Sequence, residues 1–169
     1  MRGLCLGGWA QTIADVQQEF EFLTQLTPDI IYDVWDTFSP SSLFGVDFTV
    51  AYSYGQADLW HMLASFNPLT TPAIKKHFII VGVPRLGWGQ TYWGKLWTIP
   101  SCIQRAKAFN LKGLINFPAC LPISNPSLNC VNVDCDGRGL DHDTIVQDSQ
   151  VKAEIYNDLL ALKNSGIII

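Results

Sequence analysis

Two residue types far apart in the chain could combine into nucleophilic chemistry: Ser53, within Ala51-Tyr52-Ser53-Tyr54-Gly55, and His142, within Leu140-Asp141-His142-Asp143-Thr144. A serine hydroxyl is a poor nucleophile until a neighbouring imidazole takes its proton, and a histidine titrating near ~6.5 can do so at neutral pH. The two need only meet in space. The other histidines read as structural, because His61 falls within a helical pattern and His77 at the start of a strand-like run. His142 has two plainer readings beside the chemical one: a solvated surface residue between two aspartates, or a residue at the start of a helix, bonded locally. Its place between the last strand and the last helix favours chemistry.

The elements that must position Ser53 are read from Val46 to Phe66. Val46, Phe48 and Val50 alternate as in a strand, and helical spacing begins at once after the serine with Leu59, Met62, Leu63 and Phe66. Strand, sharp turn and helix would put the hydroxyl at the apex. Such a turn leaves the backbone N–H groups beside the serine free to meet an oxyanion, and small residues two before and two after it, Ala51 and Gly55, keep it from clashing with itself. The plain reading is a strand-to-helix crossover with a serine in its turn.

Upstream, Gly3 to Leu6 is a short apolar run ending in Gly7-Gly8-Trp9, and Thr12 then opens a helix with Ile13, Val16, Phe20 and Leu23 on one face. Thr12 and Asp15 have the spacing of a capping box. The glycine pair lets backbone approach a ligand closely, so the N–H groups of Gly8 and Trp9 could form one side of an oxyanion hole. Otherwise it is a tight turn that happens to use glycine. Asp29 to Trp35 predicts a strand, Thr37 to Gly45 a loop, and His77 to Val83 a buried strand closed by Pro84.

From Leu86 to Pro100, Trp88, Tyr92, Trp93 and Trp97 stand among glycines without a clear period. They read as an apolar lid or pocket wall, or else as core or interface aromatics. Ser101 to Phe109 predicts a short helix, Leu111 to Phe117 a strand, and Leu128 to Val133 the last strand. Asp148 or Ser149 caps a final helix with Val151, Ile155, Leu159 and Leu162 on its buried stripe and Gly166 as its stop.

The glycine turn Leu6-Gly7-Gly8-Trp9, the AYSYG elbow and the late LDHDTIV segment, in that order, make the chain resemble the α/β-hydrolase family of serine esterases and lipases, as a shortened member. The resemblance implies one α/β domain over residues 1–169, with a mostly parallel central sheet of about six strands and helices on both faces. It implies Ser53 as nucleophile, His142 as general base, and the N–H groups of Tyr54 and of Gly8 or Trp9 around the oxyanion. Trp88, Tyr92 and Trp93 would line the pocket for an apolar ester. Ala51 departs from the family's usual G-x-S-x-G, though relatives with A-x-S-x-G exist. A larger departure is the acid, since neither Val83-Pro84-Arg85 nor Asn116-Phe117-Pro118 supplies a carboxylate after the two strands that follow the elbow. Asp136, with Asp134 and Asp141 as substitutes, is the candidate. Asn116 could orient the ring without charge, and Asp36 is separated from the elbow by the first strand. A lapsed hydrolase kept for binding or assembly, and an acyltransferase, are the alternatives.

Composition bounds the rest. Hydrophobic residues at 48% and charged ones at 15% exclude disorder across the 169 residues, and no apolar run reaches the ~18 residues of a membrane span. A net charge of −4 with no basic cluster gives no reason to expect nucleic acid. Five cysteines without a C-x-x-C pair, and a start that leads straight into a strand, point to the cytoplasm. Cys120, Cys130 and Cys135 lack ligand spacing for a metal and read as buried thiols, and no cofactor is implied. The short connection before the elbow strand could leave a bare sheet face for a homo-oligomer to cover.

Overall fold

In the computed structural model the described residues are 1–8, 11–35, 46–52, 55, 76–81, 103–110, 129–135, 137–141 and 143–165. The strands are β1 (Arg2–Leu6), β2 (Ile31–Trp35), β3 (Phe48–Tyr52), β4 (Lys76–Val81), β5 (Ile103–Asn110) and β6 (Asn129–Asp134). They pair in the order β2-β1-β3-β4-β5-β6, and every pairing is parallel. Helices α1 (Ile13–Glu19) and α2 (Glu21–Leu26) connect β1 to β2, and α3 (Ser149–Ser165) follows β6 after a 3-10 turn at Ile145–Gln147.

Register decides which side chains share a face. Gly3 lies beside Tyr32 and Phe48, and Cys5 beside Val34 and Val50. These residues, with Tyr52 and Phe109, meet Val16, Phe20 and Leu23 of the first helices and Val151, Ile155, Leu159 and Leu162 of α3 in one apolar cluster. Gly3 makes room for the Phe48 ring, which lies where a side chain at position 3 would go. Tyr32 meets the same ring edge-on at 5.8 Å. All three described helices therefore pack on one face. Lys152 of α3 stands over the Phe22 ring of α2, and Lys163 pairs with Asp29 of the loop after α2, which ties α3 to the first helical pair on the same face. Leu4, Leu6, Thr49 and Ala51, on the opposite face, are also buried, as central parallel strands require.

Several sequence expectations are corrected. The sheet is wholly parallel instead of mostly so, and the described helices cover one face instead of two. The part of the sheet with fully described side-chain packing is the three-stranded half β2-β1-β3. With three helices, it is smaller than the six-stranded, two-faced layout expected of a reduced α/β-hydrolase-like fold. The short helix predicted over Ser101–Phe109 is strand β5. Its helical reading fails because Lys107, a surface residue by composition, is buried beneath α3, where its ammonium meets Asp158 at 2.8 Å and Glu154 at 3.8 Å. Ile13 does not join the buried stripe of α1 but is 43% exposed. The predicted strand at Leu111–Phe117, the helix of the serine elbow beyond Gly55, the aromatic segment 86–100 and the Gly166 stop lie outside the described residues.

Local rules hold elsewhere. Thr12 Oγ1 accepts from the Asp15 N–H at 3.3 Å while Asp15 Oδ2 accepts from the Thr12 N–H at 2.8 Å, which completes the capping box. Asp148 caps α3, its Oδ1 accepting from the N–H groups of Gln150 and Val151 at 3.0 and 2.9 Å.

Candidate active site

The chain leaves β1 toward β2 on one side of the sheet and returns to build β3 through β6 on the other, so the strand order reverses between β1 and β3. In open parallel sheets the crevice outside the carboxyl ends at such a reversal is where ligands bind. Leu6 pairs with Ala51 near the ends of these two strands, so Gly7 and Tyr52 follow them at the same edge of the sheet.

Backbone packing explains the glycine two places after Ser53. Gly55 is helical and buried, and a Cβ there would stand 2.5 Å from the Gly7 carbonyl oxygen, 2.7 Å from that of Leu6 and 2.8 Å from the Leu6 carbonyl carbon. Only hydrogen fits. Gly55 is thereby pressed onto the backbone that leaves β1 at Leu6 and Gly7.

A third segment reaches the same edge from β6. Gly137 and Gly139, at φ 76° and 71°, turn the chain on either side of Arg138, whose guanidinium bonds Cys135 Sγ at 3.5 Å and pairs with Asp148. Asp141 Oδ1 then accepts from the N–H groups of Asp143 and Thr144 at 3.1 and 2.8 Å and from the Thr144 hydroxyl at 2.6 Å. These bonds, the Thr144 hydroxyl first, hold the Asp141 carboxyl below the usual range. As a substitute for the missing acid, Asp141 is therefore engaged in shaping its own loop. That loop stands within electrostatic reach of the β3 terminus: burial first, then the charges of Glu19, Asp143 and Asp141, push the Tyr52 phenol up.

A polar chain runs from the glycine turn into α1. The Gly8 N–H donates to Gln11 Oε1, and Gln11 Nε2 donates to Glu19 Oε2 at 2.9 Å. Burial, reinforced by Asp143 and Asp15 and opposed by the Gln11 bond and Lys152, pushes the Glu19 carboxyl up to about 7.

Of the residues singled out from sequence, Gly8 is described and lies at this edge, buried. Ser53, Tyr54, Trp9, His142, Asp136, Trp88, Tyr92 and Trp93 lie outside the described residues. Of their flanks, Tyr52 and Gly55 beside the serine and Asp141 and Asp143 beside the histidine are described, and Tyr52 lies within the electrostatic reach of the two aspartates. Gln11 and Glu19 were missed. Glu19 follows Val16 by one helical step and adjoins Phe20, so a carboxylate flanking an otherwise apolar stripe was the signal for it.

Among the described residues no three His, Cys, Asp or Glu side chains converge as metal ligands, and no helix is long and apolar enough to cross a membrane. Cys135 is a buried free thiol, as is Cys5. No protein-family model matches the chain, and no curated protein matches it.

Proposed function

We propose that the chain is a serine hydrolase that cleaves a carboxylic ester with an apolar acyl or alkyl group. The observation that supports this most is the close seating of Gly55 on the Leu6 and Gly7 carbonyls, because it joins the serine turn to the glycine turn at the strand-order reversal. In this reading Ser53 attacks the ester carbonyl carbon as His142 takes its proton. The carbonyl oxygen becomes an oxyanion held by the N–H groups of Tyr54 and of Gly8 or Trp9. Collapse expels the alcohol, which receives the proton from His142, and water then repeats the sequence to release the acid. Asp136 is the candidate to orient the imidazole, and Trp88, Tyr92 and Trp93 to bound the apolar pocket.

The engagement of the Gly8 N–H by Gln11 favours a second reading, a lapsed hydrolase that binds without turnover. The free thiols of Cys5 and Cys135 support a reducing, cytoplasmic setting for either. A fluorophosphonate probe separates the two. Labelling that vanishes in Ser53→Ala and drops by orders of magnitude in His142→Ala supports the enzyme, whereas folded protein that stays unlabelled refutes it.

A further inference from the structure

Gln11, just ahead of the Thr12 cap of α1, was given no role by the sequence pattern, yet its side chain lies against the glycine turn. Gln11 is half-buried, its Oε1 receives the Gly8 N–H, and a Cβ on Gly7 would stand 2.7 Å from the same oxygen. An amide oxygen thus covers both glycines of the turn. Its other end is fixed, because Nε2 donates to Glu19 Oε2 at 2.9 Å, and this bond leaves Oε1 facing the turn.

We propose that Gln11, oriented by Glu19, is a positioning residue of the site: its Oε1 keeps the Gly8 N–H paired and the turn in shape until a substrate carbonyl oxygen takes that donor. The catalytic half of the proposal rests on the serine-hydrolase reading, while the hydrogen-bonded chain itself does not. A buried N–H must have a partner at every stage, and an amide oxygen is a neutral, displaceable stand-in for an oxyanion.

Glu19 makes the arrangement sensitive to pH. Ionised, it can only accept, so Gln11 must present Nε2 to it and Oε1 to Gly8. Protonated, its O–H can donate to Gln11 Oε1, which lets the amide turn away from Gly8. The groups acting on Glu19 are Gln11 and Asp15 from its own segment, Asp143 from the loop after β6 and Lys152 from α3; Tyr52 of β3 and Cys5 of β1 lie within its electrostatic reach. Its titration near pH 7 is the transition that would switch the amide.

The test combines the amide resonance and solvent exchange of Gly8 with fluorophosphonate labelling, in wild type, Gln11→Ala, the size-conserving Gln11→Met and Glu19→Gln, each checked for native circular dichroism. Gln11→Ala and Gln11→Met are expected to move the Gly8 resonance and speed its exchange about tenfold. Both should also raise the labelling rate about three- to tenfold, the loss of one competing hydrogen bond. The Gly8 resonance should titrate near pH 7 in wild type and not in Glu19→Gln. A Gly8 response without labelling of any variant supports the assignment of Gln11 and sinks the serine-hydrolase reading. A Gly8 resonance unmoved in both Gln11 variants, or, where wild type is labelled, labelling at the wild-type rate in both, overturns the proposal.

Discussion

The Cα of Gly55 lies against the carbonyl of Gly7, so close that a methyl group there would come within 2.5 Å of the Gly7 oxygen. Forty-eight residues of chain separate the two glycines, and their contact holds together the turns that follow β1 and β3. Helix propensity argues for alanine at a helical position, by about 1 kcal/mol. Backbone collision argues against it and wins, since neither carbonyl belongs to a flexible side chain that could move aside.

Gly55→Ala is accordingly expected to lose about 1–3 kcal/mol of stability, the usual cost of overpacking, despite the gain in propensity. Urea denaturation read as a midpoint shift at constant slope checks this. A midpoint at or above that of wild type would show that the two turns are not in contact.

Glu19 gives stability a particular dependence on pH. Its folded value, about 7, lies above the ordinary carboxyl value of 4.5, so the folded chain binds the proton more tightly than the unfolded one. The stabilisation is complete below about 4.5 and is lost as pH rises through about 7. Glu19→Gln removes the titration while keeping an acceptor for Gln11 Nε2. The variant should therefore gain in melting temperature over wild type as pH goes from 5 to 8, and parallel curves for the two proteins would contradict a raised carboxyl.

Lys107 and Asp158 form an ion pair between β5 and α3, with side chains only 9% and 3% exposed. Replacing Lys107 by Met takes the ammonium from a buried carboxylate and is expected to destabilise by about 3–5 kcal/mol. Lys107→Met combined with Asp158→Leu should recover most of that loss, because an apolar pair of similar volume avoids burying charge. Calorimetry of the three proteins decides it. Additive losses in the double variant would mean that the two side chains do not interact.

What the sequence determined by itself is what neighbours along the chain control. Thr12 and Asp15 cap α1 because they lie three residues apart, and the apolar stripe Val151, Ile155, Leu159, Leu162 follows from helical spacing. The alternation of Phe48 and Val50 likewise marked β3. The tertiary structure alone decided the rest, because the deciding partners are distant. The segment Ser101–Phe109 read as a short helix, yet it is strand β5, and its Lys107 is buried against Asp158, fifty-one residues on. Ile13 fits the helical period of the buried stripe yet is left exposed, since the period cannot tell which end of a stripe meets the sheet. Glu19 is held at the end of α1 by packing of Val16 and Phe20 on the sheet, and its pKa is raised chiefly by burial, with the charges of Asp143 and Asp15 adding to it, an environment that spacing along the chain does not reveal.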